Sequence, residues 1–90
     1  MNVVEEFKRK HPDSRGAMDR WLRLARENDA GTFVELRRLF PRADLVGAKT
    51  VFDVGGNKAR VIALVNYQLR QVIVTHALTH HEYDKGKWKS

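Results

Sequence analysis

Within eleven residues near its C-terminus, Thr79 to Lys89, this chain places two imidazoles (His80, His81), a phenol (Tyr83), two carboxylates (Glu82, Asp84) and three ammonium groups (Lys85, Lys87, Lys89). An apolar, strand-like stretch from Gln71 to Leu78 leads directly into them. A second such stretch, Ala59 to Val65, carries Arg60 at its start. Groups that exchange protons near neutral pH beside fixed positive charge suit phosphodiester chemistry on RNA. RNA supplies its own nucleophile: a base takes the 2′-hydroxyl proton, the oxygen attacks the adjacent phosphate in line, and an acid protonates the departing 5′-oxygen. Fixed cations stabilise the charge that develops.

His80 is the candidate for proton transfer, because an imidazole titrates near pH ~6.5. General acid–base help of this kind is worth about 10²–10⁴-fold. Its bland alternative is a surface histidine that begins a helical turn. Arg60 stands beside a glycine turn, where a guanidinium can grip a phosphate bidentately; the alternative is a hairpin arginine paired with Asp53 across the strands. Tyr83 can act as acid or base, or stack on a nucleobase; otherwise it anchors the tail. A phenol with a pKa near ~10 is a poor base at neutral pH unless cations lower it. Lys85 and Lys58 can do so, or can hold backbone phosphates. Lys49, Lys58, Arg70, His76, Lys85 and Lys87 make up the candidate RNA- and phosphate-binding set, with a solvated surface as the competing reading. Trp21 is expected in the core, and Trp88 is expected to close the core against the helices.

Two other constellations are set aside. His76, His80 and His81 fit no standard zinc spacing, and there is no cysteine to complete a site. No metal and no cofactor are therefore expected. Gly55-Gly56 is turn chemistry and not a phosphate-cradling loop, because no helix start follows it.

The elements that must position these groups fit in one domain, residues 1–90. A chain this short buries only about 60–65% of the surface its unfolded form exposes, so surface features count for much. The absence of cysteine excludes a disulfide framework and points to a reducing cytoplasm. No apolar run approaches the roughly 18 residues of a membrane span, and residues 1–6 lack the features of a secretory signal. The net charge is +6. Residues 1–31 hold seven Lys/Arg against six Asp/Glu, whereas residues 32–90 hold ten against five. The basic excess thus lies with the sheet and tail, where an anionic partner such as nucleic acid or an acidic protein would be met.

Val3 to Lys10 is predicted as a short helix that stops before Pro12. Asp13 or Ser14 then caps a second helix, with Met18, Trp21, Leu22 and Ala25 on its apolar face and Asn28 to Gly31 at its end. Thr32-Phe33-Val34-Glu35 is a capping-box pattern for a third, whose stripe is Phe33, Leu36 and Phe40. After a loop from Arg42 to Lys49 the pattern turns strand-like. Thr50 to Val54, the turn Gly55-Gly56-Asn57 and Ala59 to Asn66 form a hairpin, and a looser turn at 67–70 returns into Gln71 to Leu78. Thr79 with Glu82 repeats the capping signature, so a short C-terminal helical turn is expected. The fold class is α+β: N-terminal helices on one face of a small antiparallel sheet.

Thr50-Val51-Phe52-Asp53-Val54-Gly55-Gly56-Asn57-Lys58-Ala59-Arg60, together with Thr75-His76-Ala77-Leu78-Thr79-His80-His81-Glu82-Tyr83-Asp84-Lys85-Gly86-Lys87-Trp88, resembles the HigB-type toxins of bacterial toxin–antitoxin modules, within the RelE/ParE superfamily. The helical half is similar too, through Glu5-Glu6-Phe7 to His11-Pro12 and Phe33 to Leu45. The resemblance implies a ribosome-dependent mRNA endonuclease held inactive by a helix-turn-helix, HigA-like antitoxin, with operon DNA met only through the antitoxin complex. It places the superfamily's strand arginine on Arg60, its C-terminal tyrosine on Tyr83 and the tail histidine on His80. His81 stands where other members have a small residue. Members usually open with a strand before the first helix, for which Met1 to Val4 is the available stretch. A ParE-like inhibitor of DNA gyrase on the same scaffold, or a non-catalytic basic RNA- or DNA-binding module, are the competing functions. The ionisable tail separates the nuclease from both.

Overall fold

The computed structural model describes residues 2–56 and 58–89. Asn2 opens the first helix, α1 (Val3–Lys10), by accepting hydrogen bonds from the backbone N–H groups of Val4 and Glu5 at 2.8 and 3.4 Å. Glu5 and Glu6 in its first turn, and Lys8, Arg9 and Lys10 in its last, complement the helix dipole. No strand precedes α1 among the described residues; Met1 lies outside them. Val4 and Phe7 are the buried face. The chain leaves the helix at His11, before Pro12, and makes a single 3₁₀ turn, Pro12–Ser14. That turn carries the chain into α2 (Arg15–Glu27) in place of a side-chain cap: Ser14 occupies the N-cap position, is buried, and makes no capping bond.

Asn28 ends α2 by folding back onto it. Its side-chain amide donates to the carbonyl of Ala25 at 2.7 Å, and its oxygen accepts from Ala30 N–H at 3.1 Å. Thr32 then caps α3 (Phe33–Leu39) through Glu35 N–H at 3.2 Å. The expected capping box is half made here, because the Glu35 carboxylate reaches one residue further back, to Gly31 N–H at 3.1 Å.

The four strands, β1 (Asp44–Val46), β2 (Lys49–Val54), β3 (Ala59–Asn66) and β4 (Gln71–Thr79), form an antiparallel meander in sequence order. β1 corrects the expected loop from Arg42 to Lys49. It is three residues long and mostly exposed, so it leaves no alternating pattern to read. Gly47, at φ 62°, turns it into β2. The β2–β3 turn passes through Gly55 and Gly56, both at positive φ; Asn57, the third residue expected in it, lies outside the described set.

The sheet has two covered faces. On one, Phe52, Val54, Ala59, Val61 and Ala63 meet Val4, Phe7, Met18, Trp21, Leu36 and Phe40 from the helices in the main core. Trp21, Phe40 and Phe52 form a ring cluster with centroids 5.0–6.3 Å apart. The two edge-to-face pairs, Trp21–Phe52 and Phe40–Phe52, add about 0.5–1.5 kcal/mol each beyond area burial. On the other face Val51 and Ile62 meet Trp88 in a second, smaller core, with Val46, Leu78 and Tyr83 packed against it. Trp88 is therefore a core residue as expected, but on the opposite side of the sheet from α1, α2 and α3.

Candidate active site

The second face owes its composition to register. Asp53 pairs with Arg60, which pairs with Leu78; Val51 pairs with Ile62, which pairs with His76. Residues directly opposite one another share a face. Regular alternation along β4 would give His76 the same face as Val74, which packs into the main core. Between Ile62 and Ala63 the register slips, however: Ile62 faces His76 while Ala63 faces Val74, leaving Thr75 as the extra residue. This bulge turns His76 to the second face. Thr75 donates its hydroxyl proton to the carbonyl of Ile62 at 3.1 Å, so its oxygen accepts from His76 Nδ1 at 3.0 Å. Nε2 is left as the atom of His76 that can meet a ligand.

The tail lies over this face. Thr79 and Glu82 make both halves of a capping box, with bonds of 3.1 and 2.9 Å, and start α4 (His80–Asp84). The Glu82 carboxyl is held below the ordinary carboxylate range, first by the Thr79 backbone N–H and with help from the nearby positive charge of His11 and Lys10. Past Gly86, at φ 71°, a 3₁₀ turn, Lys87–Lys89, drives Trp88 into the sheet. Trp88 stacks on Tyr83 with centroids 5.1 Å apart and planes 14° from parallel. Its indole N–H donates to the Tyr83 carbonyl at 3.0 Å. The Lys49 ammonium donates to the Trp88 carbonyl at 3.2 Å.

Arg60 is the junction between sheet and tail. Its guanidinium donates to Asp53 Oδ1 at 2.9 Å and lies 5.6 Å from the centroid of the Tyr83 ring. The cross-strand pairing weighed from the sequence as the alternative is present, and so is the contact with the tail tyrosine. The carboxylate orients the guanidinium and the ring covers it, leaving its side chain 13% exposed. His80 follows directly after Thr79, whose strand partner is Ala59, so it emerges at the same sheet end. Its side chain is half exposed, with Nε2 3.3 Å from Asp84 Oδ2. The contact is an ion pair when the imidazole carries a proton on both nitrogens.

The candidates thus fall into groups. Arg60 and Tyr83 meet at the end of the sheet where β3 begins and β4 ends, His80 starts α4 at that end, and Lys58, exposed, precedes β3 there. His76, Lys85 and Lys87 line an adjoining cleft with Leu78, Glu82 and Trp88. Lys49 is occupied under the tail backbone. Arg70 belongs elsewhere: it sits at φ 56° in the β3–β4 turn, bonds the carbonyl of Tyr67, and packs by Gly31 at the far end of β3. Its location does not support a role in this site. His81 is exposed on α4. Among the described residues no group of three or more His, Cys, Asp or Glu is placed to hold a metal ion.

One neighbour was not visible in the sequence. Arg42 donates to the second oxygen of Asp53, Oδ2, at 3.0 Å. It stands in a stretch with no periodicity, and no motif marks it.

The chain matches the family model for the HigB toxin, described as the RelE-like toxic component of a toxin–antitoxin system, over residues 14–86. That span contains Arg60, His76, His80, Tyr83 and Lys85 and stops just before Lys87. The chain is 39% identical over 84 residues to the mRNA interferase HigB of Escherichia coli O6:H1, a match covering 90% of this chain and 82% of the relative. It is 36% identical over 52 residues to the mRNA interferase toxin HigB of Escherichia coli K12 and to the mRNA interferase HigB of Shigella flexneri. Those matches cover 54% of this chain and 50% of each relative.

Proposed function

We propose, for a chain that belongs to the HigB toxin family of RelE-like toxic components of toxin–antitoxin systems, that it is an mRNA endonuclease that stops translation. The relatives named as mRNA interferases support the activity. The observation that carries the assignment of roles is the Arg60 guanidinium, fixed by Asp53 and the Tyr83 ring at the sheet end from which His80 emerges.

In this reading the His80 imidazole removes the 2′-hydroxyl proton, with the Asp84 carboxylate beside its Nε2 to favour the protonated ring that forms. Arg60 neutralises the charge gathering on the phosphorane; losing a preorganised donor of this type costs about 10²–10³ in kcat. Tyr83 stands above Arg60 and protonates the departing 5′-oxygen. His76, Lys58, Lys85 and Lys87 hold flanking phosphates. No metal takes part. The protein acts in the cytoplasm on mRNA at the ribosome, and a HigA-like helix-turn-helix antitoxin restrains it and carries it to operon DNA.

The test is the chemistry of the cut ends. Transcripts from induced cells, and mRNA on programmed ribosomes, should carry a 5′-hydroxyl and a 2′,3′-cyclic or 3′-phosphate, with cleavage persisting in EDTA once ribosome integrity is controlled. Ends with 5′-phosphates would make water the nucleophile and remove this mechanism. Intact transcripts with loss of DNA supercoiling would mark a gyrase poison instead.

A further inference from the structure

Arg42 is a strongly exposed cation tied directly to the group that positions Arg60. Arg42 lies in the turn between α3 and β1, where Ala43 N–H donates to the Phe40 carbonyl at 2.9 Å, and its guanidinium reaches Asp53 on the neighbouring strand β2. Ala43 is buried with Phe52 in the main core, while Arg42 keeps a side chain 70% exposed beside Asp53, at the rim of a pocket that Trp21, Phe40 and Phe52 also line. Arg42, Asp53 and Arg60 form a row of ion pairs running from the α3–β1 turn across β2 to β3. Asp53 gives one oxygen to each arginine, at 3.0 and 2.9 Å, so two guanidiniums share one carboxylate and the row keeps a net positive charge.

The two arginines differ in what they can offer. Arg60 is shielded by the Tyr83 ring, whereas Arg42 presents its planar fork to solvent. An ion pair this exposed contributes little stability, so holding the fold together is a weak reason for Arg42 to be there. Tethering by Asp53 does something else: it fixes the direction of a long side chain and reduces the ordering cost of docking an anion on it. A guanidinium matches the geometry of phosphate.

We propose that Arg42 is a second RNA-contact residue, binding the phosphate next to the one held at Arg60 and so setting the direction of the strand across the sheet end. The inference rests on the nuclease reading for its biological meaning but not for its test. The probe is a fluorescein-labelled, fully 2′-O-methylated single-stranded RNA, which lacks the nucleophile and stays intact. Its affinity is measured over a range of KCl concentrations for the wild-type protein, Arg42→Gln and Arg42→Lys. One phosphate contact on a single strand corresponds to a slope of about 0.7 in log K against log salt. Arg42→Gln should lose about that much slope, and Arg42→Lys should keep the slope while binding less tightly. In cleavage assays Arg42→Gln should raise KM and leave kcat nearly unchanged.

A wild-type slope in folded Arg42→Gln overturns the proposal, as does a fall in kcat with KM unchanged. Should Arg42→Gln fail to fold, the Arg42 Nε–H resonance of the wild-type protein decides. A saturable shift on titration with the same RNA supports the contact, and an unmoved signal refutes it. A wild-type protein that cuts nothing, with the slope still lost in Arg42→Gln, would remove the nuclease reading and leave the contact standing.

Discussion

Trp88→Ala tests how the site is held together. α4 has five residues, far below the roughly 12–15 at which an isolated helix becomes even marginal in water. Its capping box contributes about 1 kcal/mol. What fastens residues 80–89 to the sheet is therefore Trp88, 4% exposed against Val51 and Ile62, with its stack on Tyr83 and its indole bond to the Tyr83 carbonyl. Truncating a buried tryptophan costs about 3–5 kcal/mol. A chain of this length has a total stability of roughly 5–13 kcal/mol, so the variant should stay folded. The main core on the other face shares no buried residue with the smaller one. The loss should accordingly appear as local release of the tail. Amide exchange should accelerate for residues 80–89 while Phe52, Val61 and Ala63 stay protected, and growth arrest should vanish with Tyr83 no longer placed on Arg60. Trp88→Phe keeps a stacking ring, loses the indole donor, and should fall between. A Trp88→Ala protein with unchanged exchange in the tail, or with full toxicity, would refute the idea that this one side chain fastens it.

Further outcomes follow from the same geometry. Arg60→Ala should abolish growth arrest with a folded circular dichroism spectrum, at a stability cost of about 2 kcal/mol, since Asp53 keeps Arg42 as a partner; retained toxicity counts against the site. Arg60→Lys preserves charge without the planar fork and should recover binding more than turnover. The depressed Glu82 pKa fixes a sign: its contribution is complete above the unfolded carboxylate value of about 4.3 and is lost as pH falls through the lower folded value. Tail amide protection should then weaken on acidification in the wild type, and that added loss should be absent in Glu82→Gln. A parallel pH response in the two proteins would argue against the cap.

Much of the architecture was legible because it rests on local signals. The boundaries of α1 follow from Pro12, those of β3 from turn chemistry and Asn66, and α4 from the Thr79–Glu82 cap, which acts over three residues. β1 was not legible: Asp44, Leu45 and Val46 are exposed or half exposed, and a strand that buries nothing imposes no alternation on its sequence. Arg42 was hidden because it sits in a turn and its meaning depends on a side-chain ion pair with Asp53, eleven residues on.

The harder question was which side of the sheet each group would face. A strand pattern has a period of two and no sign: it says that Arg60 and Ile62 share a face, not whether that face meets α2 or the tail. Trp88 shows the ambiguity, being apolar enough for either core and finding the one opposite the helices. His76 shows it more sharply. Counting from Val74 places it among the helices, and only the extra residue at Thr75 reverses that, through a hydroxyl that occupies the Ile62 carbonyl and the imidazole Nδ1 together. Thr75→Val keeps the shape but removes both bonds. If the bulge depends on them, the variant gives a regular strand that turns His76 inward and empties the cleft of its imidazole. An unchanged His76 environment in that variant, read from its ring resonances, would mean that the register slip is set by packing at Ile62 and Ala63 instead.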